Sequence, residues 1–277
     1  MHPPEIFDRA ARRLRRDRIA GAYADHDFLR NAMIDGLLDR LASVKREFRE
    51  VLDLGAFDGS FALPGARIAR LDPGRRFAAA TGGVQADEDR LPFRDASFDL
   101  VVSAGSLDTV NDLPGALALV RRALRPDGLF LAAFTGAGSL ATLRAALRQA
   151  EGENPAPRLH PQIDVRAAGD LLMRAGFALP VADIETLDVR YASFGRLLDD
   201  LRGMGASNIL AGRRAMRRDV LARAAAAFAQ RAEADGRTTE RFAIIYLTGW
   251  APSPDQPTPA RRGSATASLA AAIGKRD

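Results

Sequence analysis

A glycine turn spans Gly55 to Gly59, directly after the apolar segment Glu50–Leu54, which we predict to be the first strand of a parallel sheet. In open α/β sheets, ligands bind in the crevice beyond the carboxyl ends of the strands. Glycines at such a point permit a tight turn and let the backbone approach a ligand closely. Phe57, in the middle of the turn, puts bulk where a ligand passes. We predict that Gly55, Phe57 and Gly59 line a cofactor site.

Three carboxylates follow at positions that suit a nucleoside. Asp72 closes the predicted second strand, where an acidic side chain can accept hydrogen bonds from both ribose hydroxyls. A simple turn at Asp72–Gly74 is an equal alternative. Asp87 lies in an acidic loop, where a carboxylate can accept a hydrogen bond from the exocyclic amine of adenine. The alternative is an acidic loop that is simply exposed to solvent. We place its neighbour Glu88 in the same cofactor-binding set.

Strands and helices alternate along the chain, which predicts an α/β fold with a mostly parallel sheet. We predict strands at 50–54, 66–71, 99–103, 129–134, 181–191 and 240–250, and helices at 5–22, 27–43, 113–124, 139–150, 164–175, 194–203 and 213–234. The first helix is predicted to be amphipathic, with one apolar face formed by Ile6, Ala10, Leu14 and Ile19.

The same pattern divides the chain into three parts. Residues 1–47 form an N-terminal helical extension, residues 48–250 form the main domain with a helical insertion at about 194–235, and residues 251–277 form a proline-rich linker and tail. We expect the N-terminal helices and the insertion to cover the crevice at the carboxyl edge of the sheet.

The composition argues against several classes of protein. The 277 residues include no cysteine, which excludes disulfides, thiolate metal sites and a cysteine nucleophile. The three histidines, His2, His26 and His160, are too scattered for a metal cluster. The net charge is +5, but 35 acidic residues are interspersed with the arginines, so we expect solvated helix faces and no nucleic-acid partner. No apolar run is long enough to predict a transmembrane helix, and we expect a cytoplasmic location.

The run from Asp87 to Val101, followed by Leu124–Gly128, resembles class I S-adenosylmethionine-dependent methyltransferases over residues 48–135. The resemblance implies a doubly wound, seven-stranded, Rossmann-like sheet with an antiparallel terminal strand, and S-adenosyl-L-methionine as cofactor. Members of that superfamily have glycine where Phe57 stands. The crossover from Gly55 to Ala66 is also at the short limit for joining parallel strands, roughly a dozen residues. Its helix, normally a site of free N–H groups, can be little more than one turn.

A narrower resemblance covers nearly the whole chain. Four elements together are similar to the respiratory complex I assembly factor family: Ile6–Arg9, Val110–Pro114, Gly203–Asn208 and Arg262–Thr266. That family has the methyltransferase fold, and its mitochondrial members are associated with hydroxylating an arginine of a complex I subunit. The resemblance therefore implies a complex I subunit as partner.

Asp108 and Thr109 stand where that family commonly has a histidine followed by an aromatic residue. Asp108 is the candidate catalytic residue, because its carboxylate can accept a proton or hold a cationic substrate; a loop or capping role is the alternative. Three hypotheses stay open: a methyltransferase acting on a protein or small-molecule acceptor, a complex I assembly factor or hydroxylase that does not methylate, and a binding protein that has lost its cofactor. Phe57 favours the third.

Overall fold

One seven-stranded sheet organises the part of the chain that the computed structural model describes, residues 5–153 and 155–256. The strands are β1 (Glu50–Leu54), β2 (Arg67–Asp72), β3 (Val84–Gln85), β4 (Phe98–Ala104), β5 (Leu124–Thr135), β6 (Ala178–Tyr191) and β7 (Thr238–Trp250). Their order is β3-β2-β1-β4-β5-β7-β6. β7 pairs antiparallel with both β5 and β6, and every other pairing is parallel. The predicted doubly wound sheet with one antiparallel strand is confirmed.

Helices cover both faces of this sheet. Within the described residues they are α1 (Arg9–Ile19), α2 (Phe28–Ala42), α3 (Arg75–Ala80), α4 (Leu113–Ala123), α5 (Ala141–Glu151), α6 (Val165–Arg174), α7 (Phe194–Gly203) and α8 (Arg218–Ala229). Several begin at a side-chain cap, where a carboxylate or hydroxyl accepts a free N–H of the first turn. Asp8, Asp112, Asp164 and Ser193 are these caps.

The hydrophobic core has one layer on each side of the sheet. α2, α5, α7 and α8 pack on one face, with Met33, Leu131 and Phe228 among the buried side chains. α4 and α6 pack on the other face, around Leu117 and Phe130. Because both faces are covered, every residue of β4 is buried, as expected for a central parallel strand. This burial fixes the carboxyl ends of the central strands, on which the candidate site is built.

The structure differs from the sequence-based prediction at a few boundaries. No helix forms between β1 and β2, because the short crossover leaves no length for one. α8 begins at Arg218, five residues after the predicted start at 213. The short elements α3 and β3 were not predicted. β5 begins at Leu124 and not at the predicted residue 129. The chain already pairs with β4 at Leu124, and an irregularity in the pairing follows, with Asp127 at φ 61°.

Candidate functional site

Four carboxylates meet beyond the carboxyl ends of β2 and β3, in what we call the acidic crevice: Asp72, Asp87, Glu88 and Asp89. Asp72 is the last residue of β2, and the other three follow β3. Their side chains are at most 3% exposed. Buried like charges this close disfavour one another's ionised form. The crevice therefore requires cations.

Helix α1 supplies two cations at the centre of the crevice. Arg12 donates from Nη1 to Oε2 of Glu88 at 2.5 Å and from Nη2 to Oε1 at 2.8 Å. Arg16 donates from Nη1 to Oδ2 of Asp72 at 3.0 Å. Both guanidinium groups also donate to the hydroxyl of Ser106, at 3.2 Å each. The shared hydroxyl brings the two ion pairs side by side.

Two further arginines of α1 complete the pairing at the rim. Arg9 contacts Asp89 through two hydrogen bonds of 2.6 and 2.7 Å. Arg13 donates to Oδ2 of Asp87 at 2.6 Å. Arginines at positions 9, 12, 13 and 16 share one face of a helix, since residues three and four apart are neighbours there. Each acid of the crevice thus has a cation from α1.

The predicted apolar face of this first helix is therefore wrong. Ile6 and Leu14 are 48% and 51% exposed, whereas the buried residues of α1 are Ala11, Arg12 and Arg16. Apolar periodicity normally decides which face is buried, but here the carboxylates of the crevice attract the arginine face. Sequence reasoning missed these arginines. Two features of the sequence could have indicated them: the arginines recur at helical spacing in α1, and the chain has three consecutive acids at residues 87–89 that could pair with them.

Burial and pairing act in opposite directions on the acids of the crevice. Burial tends to raise the pKa of Glu88, but the Arg12 guanidinium outweighs it and holds the pKa below its usual value. At Asp72 burial dominates and raises the pKa, although Arg16 and two backbone N–H groups oppose the shift. The charged state of Glu88 thus depends directly on the position of α1.

Phe57 fills the centre of the glycine turn. Its ring is 4% exposed, and its φ of 49° lies in the left-handed region. The ring stacks on Tyr23 with a centroid separation of 4.9 Å and meets the edge of Phe77 at 5.6 Å. The Arg16 guanidinium lies 3.6 Å above the ring centroid, a cation–π contact. The side chain is thus the centre of a packed aromatic cluster.

The crevice does not fit S-adenosylmethionine while α1 is in this position. Oδ2 of Asp72 accepts from Arg16 and from the Phe57 N–H at 2.9 Å, and Oδ1 accepts from the Gly74 N–H at 2.7 Å. Arg12 donates to both oxygens of Glu88. The Arg12 and Arg16 guanidinium groups therefore lie against these two acids where a ribose hydroxyl or an adenine amine would have to approach them. Asp87 lies in the same crevice but pairs with α1 as well.

The remaining predicted cofactor residues, Gly55 and Gly59, lie in the turn as expected. Both have positive φ, at 75° and 74°. A Cβ on Gly55 would lie 2.3 Å from the Ser106 side chain, so packing alone requires glycine there. The structure therefore brings the predicted cofactor-binding residues together, while their contacts are made within the chain. Their role in binding a cofactor stays a prediction.

A cavity of about 120 Å³, which we call the side-chain cavity, lies next to the acidic crevice and shares the Arg12 and Arg16 side chains with it. Part of its apolar wall comes from α2, the end of α7 and β7, and includes Leu29, Met33, Leu201, Met204 and Phe242. Tyr23 and Phe57 also line it. Four arginines also line it, and each has a carboxylate partner outside the lining: Arg12, Arg16, Arg30 and Arg158 pair with Glu88, Asp72, Asp58 and Glu151. The arginine charges are therefore already balanced.

Asp108 is the acidic residue that lines this cavity. Its Oδ2 accepts a hydrogen bond from the Thr135 hydroxyl, and it forms no ion pair with any residue from 5–153 or 155–256. His160 does not neutralise it: burial lowers the pKa of His160 more than Asp108 raises it. The Nε2 atom of His160 accepts the Ile209 N–H at 3.2 Å, which requires an unprotonated nitrogen. One negative charge thus faces the cavity without a cation.

A buried pair lies below Phe57. Asp53 is completely buried, and neither carboxylate oxygen accepts a hydrogen bond within the described part of the chain. Its closest cation is Arg30, with Nη2 at 3.6 Å from Oδ1. Burial raises the pKa of Asp53 to about 6, against the opposing charge of Arg30. The Asp53 carboxylate is therefore buried with one long ion pair and no hydrogen bond within the described residues.

Of the four elements that resemble the complex I family, the first two contact each other, and the third contributes Met204, Gly205 and Ala206 to the lining of the side-chain cavity. The Phe7 N–H donates to Asn111 Oδ1 at 2.8 Å, and Asn111 Nδ2 donates back to the Phe7 carbonyl at 3.0 Å. Phe7 also pairs as an isolated β-bridge with Leu210, and its ring meets His160 edge-on at 5.2 Å. The fourth element, Arg262–Thr266, lies outside the described residues.

Gly203, the first residue of the third element, is glycine because the His26 ring lies against its backbone. A Cβ on Gly203 would lie 2.0 Å from the ring of His26, which contacts Asp200 at 2.9 Å. This contact joins the end of α7 to the segment before α2. The motif residues therefore serve to close the chain around the cavity.

Comparison with known proteins agrees with this architecture. Residues 52–132 match the family model of a methyltransferase domain. The chain is 34% identical to "Arginine-hydroxylase NDUFAF5, mitochondrial" of Danio rerio, over 98% of this chain and 91% of that protein. It is 35% identical to the Homo sapiens protein of the same name, over 95% of this chain and 82% of that one.

More distant relatives have other activities in their names. A malonyl-[acyl-carrier protein] O-methyltransferase of Laribacter hongkongensis is 32% identical over 86% of this chain and 87% of its own length. The solved structure of the YcgJ protein of Bacillus subtilis shares the fold, with a TM-score of 0.57 at 17% identity over 79% of this chain and 98% of that one. Identity above 30% across almost the whole length decides the matter: this chain belongs to the family of class I methyltransferase-fold proteins that includes arginine-hydroxylase NDUFAF5.

Proposed function

We propose that this protein acts in the assembly of respiratory complex I and binds an arginine side chain of a partner subunit in the side-chain cavity. The observation that carries the proposal is the carboxylate of Asp108, which pairs with no cation of residues 5–153 and 155–256, in a cavity whose arginines are all matched. The names of the nearly full-length relatives, which designate arginine hydroxylases, support an arginine as the group acted on.

The lining suits a guanidinium group on an apolar stem. A guanidinium offers several N–H donors in a planar fork that matches a carboxylate. The methylene stem of an arginine would pack against Met33, Met204 and Phe242. In this proposal Asp108 holds the charge, Thr135 orients Asp108, and the apolar wall excludes water from the bound side chain.

Methyl transfer from S-adenosylmethionine is the second candidate function. The convergence of the glycine turn with Asp72 and Glu88 favours it, because these groups lie where the methyltransferase fold binds its nucleoside. The acceptor would then be a protein or a small molecule. In the observed position of α1, however, Arg12 and Arg16 pair with those acids, so we favour an arginine-binding activity that does not use this cofactor.

For either activity we propose a cytoplasmic location.

The test is binding of a synthetic peptide with one internal arginine, measured by fluorescence anisotropy on the full chain. We expect saturable binding, much weaker binding of the same peptide with citrulline, and a loss of roughly tenfold or more for Asp108→Asn. Asp95→Asn is the matched control, since that exposed carboxylate pairs only with Arg122 within the described residues. Equal binding of the arginine and citrulline peptides would contradict the proposal.

A cellular test addresses the role in assembly. In a respiring host that lacks its own copy of the protein, Asp95→Asn should restore the activity of complex I and Asp108→Asn should not. Isothermal titration with S-adenosylmethionine addresses the second candidate: heat of binding to the wild-type chain would favour methyl transfer over our proposal.

A further inference from the structure

We infer that α1 is an autoinhibitory element, which occupies the acidic crevice in place of a nucleoside and has to leave before any nucleoside can bind there. This inference concerns the binding of a nucleoside and not the binding of an arginine. Arg12 and Arg16 also line the side-chain cavity, but the tests below measure the position of α1 and nucleoside binding, so they can fail while arginine binding at Asp108 stands.

The first argument is that α1 uses the same atoms a nucleoside would need. Arg12 donates to both oxygens of Glu88, and Arg16 donates to Oδ2 of Asp72. Ser106 and the backbone N–H groups of Phe57 and Gly74 supply the other hydrogen bonds to these acids. The Arg16 guanidinium also covers the ring of Phe57 at 3.6 Å. A nucleoside cannot reach these acids without displacing the two arginines.

The second argument is the balance of charge. The four acids of the crevice meet four arginines of α1, so the docked helix leaves no net charge there. S-adenosylhomocysteine, which lacks the positive sulfonium, offers far less positive charge than the helix. Like charges in a buried site disfavour each other strongly. The docked helix is therefore the better ligand for the crevice as it is built.

The third argument is that α1 can leave without opening the main core. The helix buries Ala11, Arg12 and Arg16, and its apolar residue Leu14 faces outward. Ala11 packs only in a small cluster with Phe7, Ile209 and Leu210, apart from the two large clusters around the sheet. Ile19, at the end of the helix, packs against Tyr23, Phe57 and Phe77, which also lie apart from the two large clusters. Four paired arginines and two packed apolar side chains thus hold the helix in place.

The connection after α1 also permits such a movement. A three-residue turn, residues 20–22, joins the helix to a short 3-10 turn at Tyr23–Asp25. Gly21 in this turn is exposed, and no atom lies within 4 Å of the position a Cβ would take. Rotation about this turn meets no packed neighbour at Gly21.

The position of α1 can be measured directly, because the chain has no cysteine of its own. Leu14→Cys on α1 and Leu221→Cys on α8 place spin labels at two exposed sites. We expect a single narrow distance distribution in this labelled chain. Arg12→Gln with Arg16→Gln should broaden it as α1 is released. The matched control is Arg15→Gln with Arg18→Gln, which removes the same charge from arginines that form no ion pair in the described chain.

Calorimetry with S-adenosylhomocysteine then tests occlusion. The probe should not bind Phe57→Gly alone, but it should bind Phe57→Gly that also carries the Arg12→Gln and Arg16→Gln changes. Two results would overturn the inference: a docked distance that persists in the Arg12→Gln, Arg16→Gln chain, or S-adenosylhomocysteine binding to the wild-type or Phe57→Gly chain while that distance stays unchanged. The second result needs no charge variant, so it can be obtained even if those variants fail to fold.

Discussion

The aromatic cluster around Phe57 allows a prediction whose sign depends on backbone conformation. Replacing Phe57 by alanine removes a buried ring that contacts Tyr23, Phe77 and Arg16. Core truncations from phenylalanine to alanine cost about 3–5 kcal/mol. Alanine, like phenylalanine, keeps the strain of a positive φ, whereas glycine does not, a difference of roughly 1 kcal/mol. We therefore expect Phe57→Gly to be destabilised by about 2–4 kcal/mol and to be more stable than Phe57→Ala.

The assay is urea denaturation of both variants, followed by circular dichroism. Phe77 provides the control, since it belongs to the same cluster but lies in α3 with helical backbone. There glycine should be worse than alanine by roughly 1 kcal/mol, because glycine is a poor helix former. The order of the glycine and alanine variants should thus reverse between the two sites. If Phe57→Ala proves as stable as Phe57→Gly, the left-handed backbone at this turn is not a source of strain and the reasoning fails.

Three further predictions test the surroundings of the site. Asp53→Asn removes a carboxyl whose pKa burial raises from 3.8 to about 6. The wild type gains stability from this proton below about pH 4 and loses it as the pH rises through about 6, so between these limits its unfolding free energy should fall by about 3 kcal/mol relative to the variant; parallel pH profiles would contradict this. Asn111→Ala removes both hydrogen bonds to the Phe7 backbone, and amide exchange at Phe7 should accelerate, with about 1–2 kcal/mol of stability lost in denaturation; unchanged exchange would show that these hydrogen bonds do not hold the segment before α1. Gly203→Ala should destabilise the protein because its Cβ meets the His26 ring, and His26→Ala should relieve part of that loss in a double-mutant cycle; simple additivity would argue against the contact.

Much of the fold could be predicted from local patterns. Each predicted strand and helix has a counterpart, because apolar runs such as Leu100–Val102 can be buried only in a covered sheet. Boundaries were less accurate where a local pattern is ambiguous. The arginine-rich stretch before α8 has helical composition, yet the helix begins only at Arg218.

The acidic and glycine positions of the site could also be predicted, since they lie at strand ends that a parallel sheet necessarily brings together. The partners of those acids could not. Local spacing alone does not show that Arg12 reaches Glu88, 76 residues away in sequence. The same holds for Asp108, whose lack of a cation becomes visible only when every neighbouring arginine has been matched to an acid.

By itself, the sequence determined the order of the longer strands and helices, the place of the crevice and the family, because these depend on hydrophobic periodicity and on short motifs. The tertiary structure alone decided that the arginine face of α1 is buried and its apolar residue Leu14 exposed. The physical reason is electrostatic: four buried carboxylates, Asp72 and residues 87–89, lie far from α1 in sequence and need cations, and this requirement outweighs the burial of a few apolar side chains on one short helix.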